Sequence, residues 1–339
     1  GRRAIFAAFG LGKTLIQLET VRLVRSRAGG RALIVCPLGV RQEFTRDARM
    51  VGLAPRFIRR IEEADDPEGL YLTNYETIRD GKLDPTAFAV TSLDEAAALR
   101  GFGGTKTFRE FMRRFEGSGK HRFVATAVPD PNEYIELLAY AAFLDIMEVG
   151  EAKTRFFKRD STKADHLTIR PHQEQEFWMW VASWALFVQK PSDLGYSDAG
   201  YDLPPMVVNW HEIPTDHAGA VSDRDGQGRL FKTAAAGVTQ AAREKRDSLS
   251  ARIDTMMALR AEDPAAHRLI WHDLEAERAA IKAAIPEGVS VWGSQDLEAR
   301  EDSVIRFSDG EIQELASKPV LLGSGCNFQR HCAWAIFLG

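Results

Sequence analysis

The stretch Ala7-Ala8-Phe9-Gly10-Leu11-Gly12-Lys13-Thr14, close to the start of the chain, decides the predicted fold. It follows a short apolar run, Ala4 to Ala7, and precedes a stretch from Thr14 to Arg27 whose apolar residues spread around a helical wheel. A strand, a glycine-rich turn and a helix in this order place backbone N–H groups and a helix N-terminus around phosphate oxygens. The stretch therefore predicts a phosphate-binding loop in an α/β protein.

Each residue of this loop has a predicted role in binding ATP. Gly10, Leu11 and Gly12 would form the turn, and the two glycines let the backbone N–H groups face inward. Lys13 would reach the β- and γ-phosphates, and Thr14 would ligate Mg²⁺. The simpler alternative is a glycine-rich turn with an exposed lysine.

Short apolar runs alternate with helical patterns both before residue 150 and after residue 265, which is typical of parallel sheets flanked by helices. We predict α/β architecture with two parallel-sheet lobes, at residues 1–150 and 266–339, and a largely helical insertion at 151–265. The second lobe looks small and is expected to be truncated. The predicted strands are Ala4–Ala7, Ala32–Cys36, Leu70–Asn74, Phe88–Leu93, Phe123–Val128, Leu269–Trp271, Val289–Trp292, Val320–Leu322 and Ala333–Leu338.

An acidic pair, Asp94-Glu95, follows the apolar run that ends at Leu93. Carboxylates at the end of a buried strand suit the second acidic motif of a nucleotide-hydrolysing protein. Asp94 would hold Mg²⁺, and Glu95 would orient or deprotonate the attacking water. The alternative is an acidic helix N-terminus, which the helix dipole favours.

The overall composition is that of an ordinary globular protein. The 339 residues include 45% hydrophobic and 27% charged residues, with a net charge of −4, so bulk electrostatics do not indicate a protein that coats nucleic acid. Three cysteines are too few for a disulfide framework. We expect a cytoplasmic protein without a membrane span.

Several segments together resemble superfamily-two helicases and translocases. The loop has the helicase form AxxGxGKT and ends in the GLGKT of the Swi/Snf-related branch. Ala125-Thr126-Ala127-Val128-Pro129, followed by Pro131-Asn132-Glu133, resembles the third helicase motif. Ser317-Lys318-Pro319 with Gly323-Ser324-Gly325-Cys326-Asn327-Phe328-Gln329 resembles the fifth, and Phe307-Ser308-Asp309-Gly310 resembles a segment of the phage-type relatives.

This resemblance implies two RecA-like lobes, ATP and Mg²⁺ as cofactors, and movement along DNA held by its backbone. Lys13, Asp94 and Glu95 would be catalytic. The residues implied in coupling hydrolysis to movement are Thr126, Asn132, Gly323, Gly325, Asn327 and Gln329. Because the family's adenine-recognition segment and its arginine-finger motif find no match, we expect a fragment that hydrolyses ATP weakly by itself.

The resemblance also suggests a bacterial or phage-encoded protein that works beside a DNA methylase or restriction system. Two other functions stay open at this stage: a phosphate-loop NTPase that remodels protein partners, and a pair of DNA-binding lobes with little catalysis. The basic stretch from Lys106 to Arg122 is equally compatible with phosphate contacts and with a solvated helix face.

Overall fold

The computed structural model describes residues 1–37, 40–96, 99, 106–129, 134–159, 167–201, 204–213, 221–222, 228–229, 245–323, 326 and 328–338. Its residues divide into two units, Gly1–Pro204 and Pro205–Gly339. The first contains a seven-stranded parallel sheet and the second a four-stranded parallel sheet, each with helices in its connections. The predicted α/β class with two parallel-sheet lobes is confirmed.

The first unit is built from short strands and helices that alternate along the chain. Its strands are β1 (Arg2–Ala7), β2 (Ala32–Val35), β3 (Arg56–Phe57), β4 (Leu70–Thr73), β5 (Val90–Leu93), β6 (His121–Thr126), β7 (Phe157–Arg159), β8 (Leu167–Ile169) and β9 (Ala185–Val188). Its helices are α1 (Lys13–Ala28), α2 (Arg41–Met50), α3 (Tyr75–Arg79), α4 (Lys106–Arg114), α5 (Leu137–Phe143), α6 (Val149–Phe156) and α7 (Glu174–Trp184).

The large sheet has the strand order β3-β4-β2-β5-β6-β1-β9. The four residues of β2 are completely buried, as expected for a central strand with helices on both faces. Strand β6 lies between β1 and β5 and pairs with both in parallel, so the carboxyl ends of these three strands meet at one edge of the sheet. The candidate functional residues of this unit follow those strand ends.

Strand β9 corrects the predicted boundary of the first lobe. Residues 151–265 are predicted to form a largely helical insertion, but helix α7 ends at Trp184 and the next four residues pair in parallel with β1. The side chain of Phe6 contacts those of Trp184 and Phe187, at centroid distances of 6.4 and 5.0 Å. The first unit therefore extends through this strand to Pro204, rather than ending near residue 150.

The second unit starts with a small antiparallel pair, β10 (Val221–Ser222) and β11 (Gly228–Arg229). Its parallel sheet has the order β13-β14-β12-β15. These strands are β12 (Arg268–Trp271), β13 (Val289–Val291), β14 (Glu314–Ser317) and β15 (Trp334–Phe337). The helices are α8 (Leu249–Glu262), α9 (Glu275–Ala284), α10 (Leu297–Ser308) and α11 (Pro319–Leu322).

The strand predicted at Val320–Leu322 is wrong. That segment belongs to the short helix α11, whose first residue is Pro319. A backbone N–H at the first position of a helix has no partner within the helix, so a proline is tolerated there. The actual strand, β14, was missed because it begins with a carboxylate. Glu314 is buried in the sheet, where its carboxylate accepts hydrogen bonds from Arg260 and Arg268.

No helix among the described residues is both long enough and apolar enough to cross a membrane. Part of the predicted insertion lies outside the described residues, including residues 223–227.

Candidate nucleotide site

The predicted phosphate loop lies between β1 and α1, in the strand-loop-helix order that the sequence indicates. Gly10 and Gly12 have φ angles of 83° and 70°, in the left-handed region that glycine adopts without strain. A Cβ atom at either glycine would meet no atom within 4 Å, so the space beside the loop is open. The loop thus combines left-handed glycines with room for a ligand.

The first turn of α1 leaves its backbone N–H groups available to an anion. Gly12 caps the helix without a side-chain hydrogen bond, and the first turn contains no acidic residue. These N–H groups and the helix dipole attract negative charge at this end. Lys13 and Thr14 are the first two residues of the helix and are half-buried.

The acidic pair lies close to this loop. The Lys13 Nζ atom forms an ion pair with the Glu95 carboxylate, and the two side chains are only 14% and 15% exposed. Asp94 is close enough for the Lys13 charge to lower its pKa. The structure therefore brings together Lys13, Asp94 and Glu95, which lie about eighty residues apart in the sequence.

Asp94 is the most strongly perturbed carboxyl group of this site. Its side chain is 3% exposed and its Oδ1 atom has no hydrogen-bond partner. Burial raises the pKa of Asp94 to about 7, although the nearby Lys13 ammonium lowers it in part. A buried carboxyl group with an unpartnered oxygen is suited to bind a cation or to exchange a proton.

The backbone holds the acidic pair in a strained turn. Glu95 has a φ of 46°, a left-handed conformation that costs a residue with a Cβ atom roughly 1–3 kcal/mol. In this conformation the Glu95 carboxylate contacts the Lys13 ammonium group. The backbone of Asp94 is fixed by the Tyr75 hydroxyl, which donates to its carbonyl oxygen at 2.7 Å, and by its own N–H, which donates to Val35 O at 2.8 Å.

A buried polar pair next to the site is not predicted from the sequence. Gln17 lies one helical turn after Lys13 and is completely buried; its Nε2 atom donates to Ser92 Oγ at 2.8 Å. Ser92 lies in β5, two residues before Asp94. This hydrogen bond ties α1 to β5. In the sequence, the signal that could have revealed this pair is that Gln17 stands directly between the apolar residues Ile16 and Leu18.

Thr126, a predicted coupling residue, is the last residue of β6 and is completely buried. Its strand separates β1 from β5, so Thr126 ends the strand between the phosphate loop and the acidic pair. Its Oγ1 atom accepts a hydrogen bond from the Val128 N–H at 3.3 Å. Asn132 lies outside the described residues.

The residues present fit a hydrated Mg²⁺ ion. Mg²⁺ in nucleotide sites is held by one or two protein oxygen ligands together with phosphates and water. Asp94 supplies an unpartnered buried oxygen, and Thr14 supplies a hydroxyl at the helix start. No group of three or more His, Cys, Asp or Glu side chains suited to a metal occurs in the part of the chain that the structure describes.

Two of the other predicted coupling residues belong to the second unit. Gly323 ends α11, and a Cβ atom there would lie 2.4 Å from the Pro319 carbonyl oxygen, so only glycine fits. Gln329 is exposed in a turn. Gly325 and Asn327 lie outside the described residues.

The predicted basic stretch does not form one surface. Arg122 is buried near the amino end of β6, and its guanidinium group donates to the carbonyl oxygens of Phe143 and Phe115 at 3.0 and 2.6 Å. Burial lowers the pKa of this guanidinium. Thr126 ends the same strand on the opposite edge of the sheet, so Arg122 lies away from the candidate site.

No protein-family model and no curated protein matches this chain. Among solved structures, the chain is similar to the Sulfolobus solfataricus SWI2/SNF2 ATPase core in complex with dsDNA, with 14% identity and a TM-score of 0.48 over 94% of this chain and 73% of that one. It is similar to S. cerevisiae Dbp5 bound to RNA and ADP BeF3, with 13% identity and a TM-score of 0.47 over 94% of this chain and 66% of that one. For the Pyrococcus furiosus Hef helicase domain the identity is 11% and the TM-score 0.38, over 94% and 83% of the two chains. Likeness of this degree assigns no function to the chain.

Proposed function

We propose that this chain is the ATP-hydrolysing core of a DNA helicase or translocase. The observation that carries the proposal is the convergence of Lys13, Asp94 and Glu95 at the carboxyl edge of one parallel sheet, beside an open glycine loop and an uncapped helix N-terminus. Ligands of open α/β sheets bind at this edge.

In this proposal the loop N–H groups and Lys13 bind the triphosphate, while Thr14 and Asp94 hold Mg²⁺, which neutralises charge on the phosphates. Glu95 orients the attacking water and accepts its proton. In the free protein the Glu95 carboxylate pairs with Lys13, so the triphosphate must replace it as the partner of the ammonium group.

The step from ATP hydrolysis to movement on DNA rests on the resemblance of the sequence motifs. Thr126 supports this step because it ends β6, the strand that lies between the phosphate loop and the acidic pair. The roles of Asn132, Gly323, Gly325, Asn327 and Gln329 stay predictions. Backbone contacts to DNA imply little sequence specificity.

The test measures binding of a fluorescent ATP analogue and ATP turnover by the full chain, with no nucleic acid, with single-stranded DNA and with duplex DNA. We expect DNA to raise turnover, and Lys13→Ala to abolish both nucleotide binding and turnover. Lys82→Ala is the matched control, because Lys82 pairs with Asp80 on the exposed surface of the same unit.

Turnover that is indifferent to either DNA would favour a protein-remodelling NTPase instead. DNA binding without turnover, unchanged by Lys13→Ala, would favour a non-catalytic DNA-binding protein.

A further inference from the structure

The second unit contains a pocket of about 350 Å³ that none of the predicted site residues lines. Its principal side chains are those of Glu275, Arg278, Trp292 and Lys318, with Val320 and Leu321 beside them. This volume falls within the range of small-ligand sites in proteins.

The pocket lies at the carboxyl edge of the parallel sheet. Trp292 directly follows β13, Lys318 directly follows β14, and Glu275 begins the helix that comes after β12. Three strand ends therefore place three chemically different side chains around one space. This is the edge of an open α/β sheet at which ligands bind.

The pocket combines a flat ring system with an excess of positive charge. The Arg278 guanidinium carbon lies 4.8 Å from the Trp292 ring centroid. Glu275 pairs with both cations of the pocket, at 2.7 Å from Arg278 Nε and 3.2 Å from Lys318 Nζ. One carboxylate and two cations leave a net positive charge, and the two cations share a single anionic partner.

Core packing does not explain Trp292. Trp271 and Trp334 pack with the apolar clusters of this unit, but Trp292 belongs to neither cluster. Its backbone is held in a turn in which the Trp292 N–H donates to Gln295 Oε1 at 3.4 Å and the Gln295 N–H donates to the Trp292 carbonyl oxygen at 3.3 Å. These two hydrogen bonds fix the backbone that carries the indole.

We propose that this pocket binds one unpaired nucleotide of a single-stranded nucleic acid, with its base stacked on the Trp292–Arg278 pair and its phosphate bound by Lys318. The inference rests on the proposed nucleic-acid function and adds a preference for single strands. Indole and guanidinium planes both stack on bases, whatever the base identity. A base within a duplex is already stacked and paired, so it does not enter such a pocket. The phosphate takes the place of Glu275 as the partner of the Lys318 ammonium group.

The experiment measures, by fluorescence anisotropy, the affinity of the full chain for labelled oligo(dT), oligo(rU) and a DNA duplex. We expect Trp292→Ala to weaken single-strand binding about tenfold, in line with the loss of one base stack, and to leave duplex binding unchanged. Trp292→Phe should restore most of the affinity because it keeps a ring. Trp334→Phe is the matched control, since Trp334 also stacks with an arginine of this unit, Arg268, whose guanidinium carbon lies 4.6 Å from the ring centroid. The affinities for oligo(dT) and oligo(rU) show whether the pocket prefers a nucleotide of DNA or of RNA.

A second measurement changes the nucleic acid rather than the protein. An abasic strand should bind the unsubstituted protein more weakly than oligo(dT), and Trp292→Ala should remove that difference. Equal affinity for abasic and normal strands, or an equal effect of Trp292→Ala on strand and duplex, would overturn the inference. If DNA-stimulated ATP turnover persists in that case, the proposed function stands; if the chain binds no nucleic acid and turnover ignores it, both fail.

Discussion

The ammonium group of Lys13 forms an ion pair with the carboxylate of Glu95, and both side chains are largely shielded from solvent. One residue begins the first helix and the other follows the fifth strand. In the proposed function, the lysine that would bind phosphate is thus paired with the carboxylate that would act as the base. A triphosphate would then have to compete with Glu95 for Lys13.

The ion pair predicts opposite effects of Glu95→Gln on binding and on catalysis. We expect the affinity for the fluorescent ATP analogue to stay equal or to increase, because Lys13 loses an anionic competitor. Turnover should fall about 100-fold or more, since the amide cannot accept a proton. Glu76→Gln, at an exposed position on α3, is the control and should change neither quantity. A Glu95→Gln protein with normal turnover would remove Glu95 from the mechanism.

The buried carboxyl group of Asp94 predicts a pH-dependent stability. Its pKa is raised to about 7 in the folded protein, against an ordinary value of about 3.9, so folding takes up a proton between these pH values. Below about pH 4 the raised pKa of Asp94 costs the folded protein no stability. As the pH rises through 7, the free energy of unfolding falls by up to about 4 kcal/mol. Denaturant unfolding of the protein and of Asp94→Asn at about pH 5 and about pH 8 measures this difference. The same pH slope in both proteins would show that Asp94 titrates normally.

The Gln17–Ser92 hydrogen bond predicts a coupling between α1 and β5. Gln17→Leu should lower the free energy of unfolding by about 1–3 kcal/mol, because the buried Ser92 hydroxyl loses its partner. Adding Ser92→Ala should recover part of that loss. A double-mutant cycle of urea unfolding measures the coupling, and strictly additive losses would mean that the two side chains do not interact.

The pairing of β9 with β1 predicts where the first unit can be cut. A chain of residues 1–204 should fold as a monomer, whereas residues 1–150 should aggregate. The shorter chain lacks β9, which leaves one edge of β1 unpaired and Phe6 without its contacts to Trp184 and Phe187. Size-exclusion chromatography and circular dichroism of the two chains test this expectation. A folded, monomeric 1–150 chain would place the boundary where the sequence pattern suggests.

Local patterns in the sequence determined the α/β class, most of the strands and the nature of the candidate site. Lys13 and Thr14 are recognisable because strand, glycine turn and helix follow one another within a few residues. Asp94 is recognisable because acidic residues directly follow a buried apolar run. These features depend on backbone preferences and hydrophobic periodicity over short stretches, which the chain carries locally.

Only the tertiary structure decided which distant residues meet. Strand β9 lies about 180 residues after β1, and no local pattern states that the two pair. Glu314 reads as a surface residue until Arg260 and Arg268 are placed around it. The left-handed turn at Glu95, the Gln17–Ser92 bond and the Trp292 pocket likewise arise from contacts between separate elements. Such contacts depend on how elements pack, and the free energy of packing is a property of the assembled lobe rather than of any one segment.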